Sequence, residues 1–283
     1  MRIAVASGKG GTGKTTVATS LALSLAEQDV RLLDCDVEAP NAALYLKPRL
    51  GNRKPVGIMV PVVNANRCTH CGECAQVCQY HAIAVFGKGV LVFPELCHGC
   101  GSCTLVCPEN AITEEFKKTG VLENGPSTQG IDFFHGRLDI GEPMAVPVIR
   151  ELKKWQPPPT EVIEIRDAPP GASCPVVETV RDADFALLVT EPTPFGLHDL
   201  RQVVEMVRAM GIPAGVILNR DGVGDGAVEA FCAEAGLPIL MRIPFERRIA
   251  EALAAGHMLP HAFPEYRSRF LELYHTIRSM VLQ

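Results

Sequence analysis

Short apolar runs and helical stripes alternate at both ends of the chain. Residues 3–6 form an apolar run that meets a glycine-rich turn. From 14 to about 28, Val17, Leu21 and Leu25 recur at helical spacing. Residues 30–33 read as a second buried strand ending at Asp34. Further strands are predicted at 162–165, 185–190, 214–218 and 239–243, with helices at 197–210, 227–235 and 247–255. Near the C-terminus, Phe270, Leu273, Tyr274, Ile277 and Val281 make an apolar helical stripe. Apolar strands alternating with helices predict an α/β fold, with a mostly parallel sheet covered by helices on both faces.

The middle of the chain follows a different rule, an internal repeat. Cys68, Cys71, Cys74 and Cys78 return 29 residues later as Cys97, Cys100, Cys103 and Cys107, and Ala82-Ile83 returns as Ala111-Ile112. Each copy is too small to bury a core alone, so the two predict one pseudo-symmetric α+β module. The expected organisation is a first α/β part at 1–61, an inserted module at 62–115 and a second α/β part at 116–283. Between 117 and 155 the pattern is weak. Residues 131–140, with Gly136 inside, read as a hairpin, and 148–155 as a short helix. Pro157-Pro158-Pro159 reads as a stiff spacer.

Composition narrows the class. The chain has 283 residues, 47% hydrophobic and 21% charged, which excludes a disordered chain. A net charge of −5 without a long basic run argues against nucleic-acid binding. No apolar stretch approaches the ~18–20 residues of a membrane span. The C-terminal stripe lacks a basic polar face, so no membrane anchor is expected. The strand pattern begins at once and leaves no room for a signal peptide, so a cytoplasmic protein is expected. Cytosolic thiols stay reduced, so eleven cysteines, eight of them between 68 and 107, point to metal rather than disulfides.

Gly8-Lys9-Gly10-Gly11-Thr12-Gly13-Lys14-Thr15 fits G-x-x-x-x-G-K-[ST] between a strand and a helix N-terminus. Gly8, Gly10, Gly11 and Gly13 let backbone N–H groups of the loop, with Thr12 and Thr16, surround phosphate oxygens, and the helix dipole favours the anion. Lys14 is expected on the β- and γ-phosphates and the Thr15 hydroxyl on Mg²⁺.

Lys9 is not needed to cradle phosphate. With it, the chain resembles the deviant-Walker-A P-loop ATPases of the MinD/ParA/Mrp type, which include the nitrogenase iron protein. The resemblance implies that Lys9 reaches the partner's nucleotide across an ATP-dependent homodimer. It also implies that Asp36 helps position the attacking water and that Asp34 and Asp167 lie near Mg²⁺. Gly171 would sense the γ-phosphate, Asn219 would bind adenine, and Pro244-Phe245 would cover the base. One departure is that Glu164 and Arg166 interrupt the strand before Asp167, where a central strand is usually apolar. Cys174 lies near the place where the nitrogenase iron protein holds a cluster shared between subunits. It reads instead as a buried or loop thiol, and Cys35 and Cys232 as packing.

Both cysteine runs have the bacterial ferredoxin spacing C-x₂-C-x₂-C-x₃-C, in which the fourth cysteine ligates the other cluster. Cys68, Cys71, Cys74 and Cys107 would hold one [4Fe–4S] cluster, and Cys97, Cys100, Cys103 and Cys78 the second. Zinc, the alternative, favours separated ligand pairs. Gln79 follows Cys78 where Pro108 follows Cys107, a change in the loop and not in the ligands. His70, His81 and His98 are not needed as ligands.

The expected function is therefore an Mg·ATP-hydrolysing switch coupled to two clusters that pass electrons to a redox partner. The alternative is a carrier or scaffold that supplies clusters or metal to client proteins. A third reading is a MinD/ParA-like spatial organiser with a redox sensor.

Overall fold

The computed structural model describes residues 1–157 and 161–282. The chain runs β1 (Arg2–Ala6), α1 (Lys14–Ser24), β2 (Val30–Asp34), α2 (Ala42–Leu46) and β3 (Asn52–Val63). It continues through α3 (Glu73–Val77), β4 (Ile83–Phe86), β5 (Gly89–Val92), α4 (Ser102–Val106), β6 (Ile112–Pro126), β7 (Asp132–Leu138) and α5 (Val146–Lys154). The last part is β8 (Ile163–Asp167), α6 (Cys174–Val180), β9 (Phe185–Thr190), α7 (Pro194–Ala209), β10 (Ala214–Asp221), α8 (Ala227–Glu234), β11 (Ile239–Pro244), α9 (Arg247–Ala254), α10 (Leu259–Ala262) and α11 (Pro264–Val281).

Two compact units result. One comprises Met1–Lys54, Leu122–Arg137 and Ile149–Gln283, the other Pro55–Val121 and Leu138–Val148. The segment 62–115 lies within the second. Nine strands are hydrogen-bonded in the order β11-β10-β9-β1-β8-β2-β7-β6-β3, and β10/β11, β9/β10, β1/β9, β1/β8, β2/β8 and β2/β7 are parallel. The mostly parallel sheet expected from the strand–helix alternation is present.

Strand alternation sorts side chains between two cores. Ile3, Val5, Phe185 and Leu187 pack on one face with Val17 and Leu21 of α1 and Phe270, Leu273 and Ile277 of α11. Ala4, Ala6, Ala186 and Leu188 face Val176 of α6, Leu200 and Val203 of α7, and Val228 of α8. The C-terminal stripe is therefore core. Phe270 is fully buried, so Phe270→Ala should cost about 3–5 kcal/mol, read as an earlier urea unfolding midpoint. No helix among the described residues is long and apolar enough to cross a membrane.

β8 explains its own charges. All five of its residues are buried. Arg166 Nε donates to Glu164 Oε1 at 2.7 Å, two residues along on the same strand face, and its Nη1 donates to the carbonyls of Thr179 and Arg181 at 3.1 and 2.8 Å. Arg31, in register with Glu164 on β2, approaches it at 3.7 Å. A buried charge survives best when paired and hydrogen-bonded, as Glu164 and Arg166 are here.

The hairpin expected within 131–140 is corrected. One strand, β7, covers Asp132–Leu138, and Gly136 lies inside it. The turn comes earlier, where the Ser127 N–H donates to Ile131 O at 2.8 Å and the Ser127 hydroxyl accepts from the Ile131 N–H at 3.0 Å. Gly130 supplies the positive φ, +82°, that the turn needs. The helix expected at 148–155 is α5. Of the proline spacer, Pro158 and Pro159 lie outside the described residues.

Candidate functional site

Parallel strands place their carboxyl ends on one edge of the sheet, where open α/β folds bind ligands. β1 leads there into the glycine loop, β2 ends at Asp34, β8 at Asp167 and β9 just before Glu191. Asn219 lies near the end of β10, two residues before Asp221, and Pro244 ends β11.

Two loop glycines have evident reasons. A Cβ at Gly8 would lie 2.3 Å from the Asp199 carbonyl of α7. Gly13, the N-cap of α1, has φ +96°, and a Cβ there would meet the Asn219 amide at 2.5 Å. The Ser7 hydroxyl donates to Lys9 O at 2.6 Å, and the Gly171 N–H donates to Ser7 O at 2.9 Å. Thr15 and Thr16 open α1 after Lys14. Thr12 is buried, and its hydroxyl has no partner among the described residues.

Lys14 is only 7% exposed. Burial pushes its pKa down, against the pull of Asp167 and Asp36. Asp36 is raised by burial, with Lys14 opposing. Asp34 is fully buried and already occupied: Oδ1 accepts from the Asp36 N–H at 3.2 Å, and Oδ2 from the N–H groups of Asn41 and Ala42, each at 3.0 Å. Burial, then Asp167, nevertheless raises its pKa well above the carboxylate range. Asp167 differs, because both of its oxygens are buried without a hydrogen-bond partner among the described residues. Burial pushes its pKa to about 7, opposed by the nearby Thr15 hydroxyl, which approaches without reaching hydrogen-bond geometry, and by the Lys14 charge. Such orphaned acceptors cost free energy unless something fills them, and a hard divalent cation with oxygen ligands suits them. Of the two aspartates, Asp167 has the free oxygens.

That arrangement has a stability consequence. Because the folded pKa exceeds the unfolded one, folded Asp167 keeps a proton between about pH 4 and 7 that the unfolded chain gives up. Its contribution to stability therefore falls as pH rises through that window, and the full penalty remains above about 7. Asp167→Asn should stabilise the nucleotide-free protein by roughly 2–4 kcal/mol at pH 8 and by little near pH 4. Urea unfolding at both pH values checks this, and a gain independent of pH would contradict it.

Lys9 is ion-paired in its own chain. Its ammonium meets Glu191 Oε1, while Arg220 Nη1 donates to Glu191 Oε2 at 2.7 Å. Glu191 is only 5% exposed. Arg220 Nη2 also donates to Gly11 O at 3.3 Å, and Asn219 Nδ2 to Thr12 O at 2.7 Å. The ends of β9 and β10 thus tether the glycine loop. Glu191 and Arg220 were not singled out from the sequence. The available signal was an acid just past the apolar run 185–189 of β9. The Phe245 N–H donates to Asp221 O at 2.9 Å, and its ring, just after Pro244, is 65% exposed.

In the second unit, Cys68, Cys71, Cys74 and Cys107 line one cavity, and Cys78, Cys97, Cys100 and Cys103 line another. All eleven cysteines are free thiols. Among the described residues no three His, Cys, Asp or Glu side chains are gathered closely enough to hold a single metal ion. Each cavity thus offers four thiols around a space. Cys35 and Cys232 are buried, as expected of packing residues. Cys174 is exposed at the start of α6.

The CobQ/CobB/MinD/ParA nucleotide binding domain family matches this chain over residues 3–259. An uncharacterized protein of Methanocaldococcus jannaschii is 31% identical over 99% of this chain and 98% of its own length. An iron-sulfur cluster carrier protein of the same organism is 25% identical over 90% of this chain and 76% of its own length. Among solved structures, the septum site-determining protein MinD complexed with Mg-ADP from Pyrococcus horikoshii has a TM-score of 0.58 at 22% identity, covering 98% of this chain and 95% of that one. The glycine loop, the acids at the strand ends and these matches agree: the chain belongs to the CobQ/CobB/MinD/ParA family of P-loop nucleotide-binding proteins.

Proposed function

We propose that this protein is an Mg·ATP-dependent iron–sulfur cluster carrier, in which ATP binding and hydrolysis by the first unit govern delivery of clusters held by an inserted ferredoxin-type module, 62–115. The observation that carries this is the pair of cavities, each lined by four cysteines in the crossed pattern of the repeat. Tetrahedral zinc would need four thiolates drawn to about 2.3 Å from one ion. A four-iron cube spreads its thiolates over four corners, which suits the more open gathering here. The likeness to iron-sulfur cluster carrier proteins supports carriage as the role.

In this reading Lys14 and the loop N–H groups hold the β- and γ-phosphates, Asp36 orients the attacking water, and Gly171 follows the γ-phosphate. Asp167 and the Thr15 hydroxyl would hold Mg²⁺, with Asp34 beside it fixing the loop. Bound Mg²⁺ would neutralise charge developing on the phosphates. Lys9 would leave Glu191 to act on the partner's nucleotide in an ATP-dependent dimer. Arg220 would then keep the buried Glu191 paired.

Electron transfer to a redox partner is the second reading, favoured by the ferredoxin spacing. The two separate in one experiment. Anaerobically loaded protein is mixed with an apo-ferredoxin acceptor plus Mg·ATP or Mg·ADP, and iron is measured on each after separation. Carriage predicts ATP-dependent movement of iron to the acceptor. Clusters that stay on the chain while cycling between reduced and oxidised states would decide for electron transfer.

A further inference from the structure

The two cysteine sites share a frame. Helices α3 and α4 follow Gly72 and Gly101, both at positive φ, 87° and 73°. The Ala82 N–H donates to Cys78 Sγ and the Ala111 N–H to Cys107 Sγ, each at 3.3 Å. His81 and Asn110, 29 residues apart, take φ of 52° and 47°. Any difference between the sites therefore comes from side chains and local contacts set upon this frame.

Those contacts differ consistently. At the Cys78/Cys97/Cys100/Cys103 site, the Gly99 N–H also donates to Cys97 Sγ at 3.4 Å, and the Ser102 hydroxyl lies 3.4 Å from Cys100 Sγ. With Cys100 as a thiolate, that hydroxyl becomes the donor. Backbone N–H groups also approach Cys74 at the first site and Cys100 and Cys103 at the second, so the Gly99 N–H and the Ser102 hydroxyl are the donors without a counterpart at the first site. Where the second site has Ser102 and Tyr80, the first has Glu73 and Glu109, both lining its cavity. The second site's one lining carboxylate, Glu114, accepts from the Thr104 hydroxyl at 3.1 Å. Each cavity also has one lining imidazole, His70 or His98, which does not separate them.

Reduction adds one negative charge to a cluster. Donors to sulfur stabilise that charge and nearby carboxylates oppose it. Glu73 and Glu109 are exposed and screened by salt, so the hydrogen bonds are the stronger cause. We infer that the two cluster sites are redox-inequivalent, with the Cys78/Cys97/Cys100/Cys103 site at the higher reduction potential and Ser102 and Glu73 setting the difference. An electron supplied to a cluster held by Cys68, Cys71, Cys74 and Cys107 would pass to one held at the other site. One cluster is oxidised as the other is reduced, and no bond or proton moves. The inference rests on the two-cluster reading and holds whether clusters are delivered or only cycle electrons.

The test is an anaerobic potentiometric titration of the full chain, followed by electron paramagnetic resonance, with dithionite as reductant and iron measured on every sample. The parent should show two one-electron waves whose reduction equilibria differ at least about tenfold, 59 mV for a one-electron couple. Ser102→Ala should lower the upper wave alone, by several-fold in reduction equilibrium. Ser102→Thr, which keeps the hydroxyl, should leave it in place. Glu73→Gln should raise the lower wave alone, and the effect should shrink in high salt. Eight irons with one unresolved wave overturns the inference and leaves the two-cluster reading intact, as does Ser102→Ala shifting the lower wave. Four irons or zinc in the parent overturns both.

Discussion

Lys14→Ala protein should lose ATP turnover by at least about 10²–10³-fold in kcat/KM, the scale on which a single charge-stabilising group acts in such reactions. The reason lies in what remains. Lys14 is the buried cation facing Asp167 and Asp36, and without it an incoming polyphosphate meets two acids with no buried cation between them. The loop amides would survive, since tethering by Asn219 and Arg220 acts on the Thr12 and Gly11 carbonyls. Steady-state hydrolysis and titration with a fluorescent nucleotide check both parts. Lys9→Ala should behave differently, keeping nucleotide affinity but losing hydrolysis and ATP-dependent dimerisation together, read by light scattering. Asp36→Ala should bind ATP and hydrolyse it slowly. Parent-like turnover in Lys14→Ala would remove the phosphate site from the mechanism. Normal ATP-driven dimerisation and turnover in Lys9→Ala would remove the trans role of that lysine.

Anaerobically prepared protein should contain about eight irons per chain, and Cys68→Ala about half of that, with nucleotide binding largely retained. The crossed lining of the cavities makes this specific, because Cys107, from the second half of the repeat, shares the cavity of Cys68, Cys71 and Cys74. Cys107→Ala should therefore deplete the same cluster as Cys68→Ala, although the two residues belong to opposite halves of the repeat. Iron analysis with electron paramagnetic resonance of the reduced variants reads which signal disappears. Loss of different signals from these two variants would contradict the crossed assignment. Stoichiometric zinc without visible absorbance would end the iron–sulfur reading.

What was legible in the sequence was information held within a few residues or a fixed period. The glycine loop shows in eight consecutive residues because close backbone approach and positive φ demand glycine there. The cysteine frames show because a 29-residue repeat preserves every spacing, and the parallel sheet shows because doubly covered strands are apolar throughout. The terms that only the tertiary structure decided join residues far apart in the chain. Glu164 and Arg166 look misplaced until Arg31 on β2 and two carbonyls at the C-terminal end of α6 close around them. Asp34 and Asp167 read alike as acids at strand ends. Folding gives Asp34 three backbone N–H donors and leaves both Asp167 oxygens without one, so Asp167 is the acid whose oxygens are open to the proposed cation. From sequence Lys9 is a lysine that phosphate binding does not need, and only the fold shows Glu191, brought beside it at the end of β9, pairing with it and with Arg220 from β10. A side chain's charge is local, but its partner and its exposure to water are set by where the sheet brings the other strand ends.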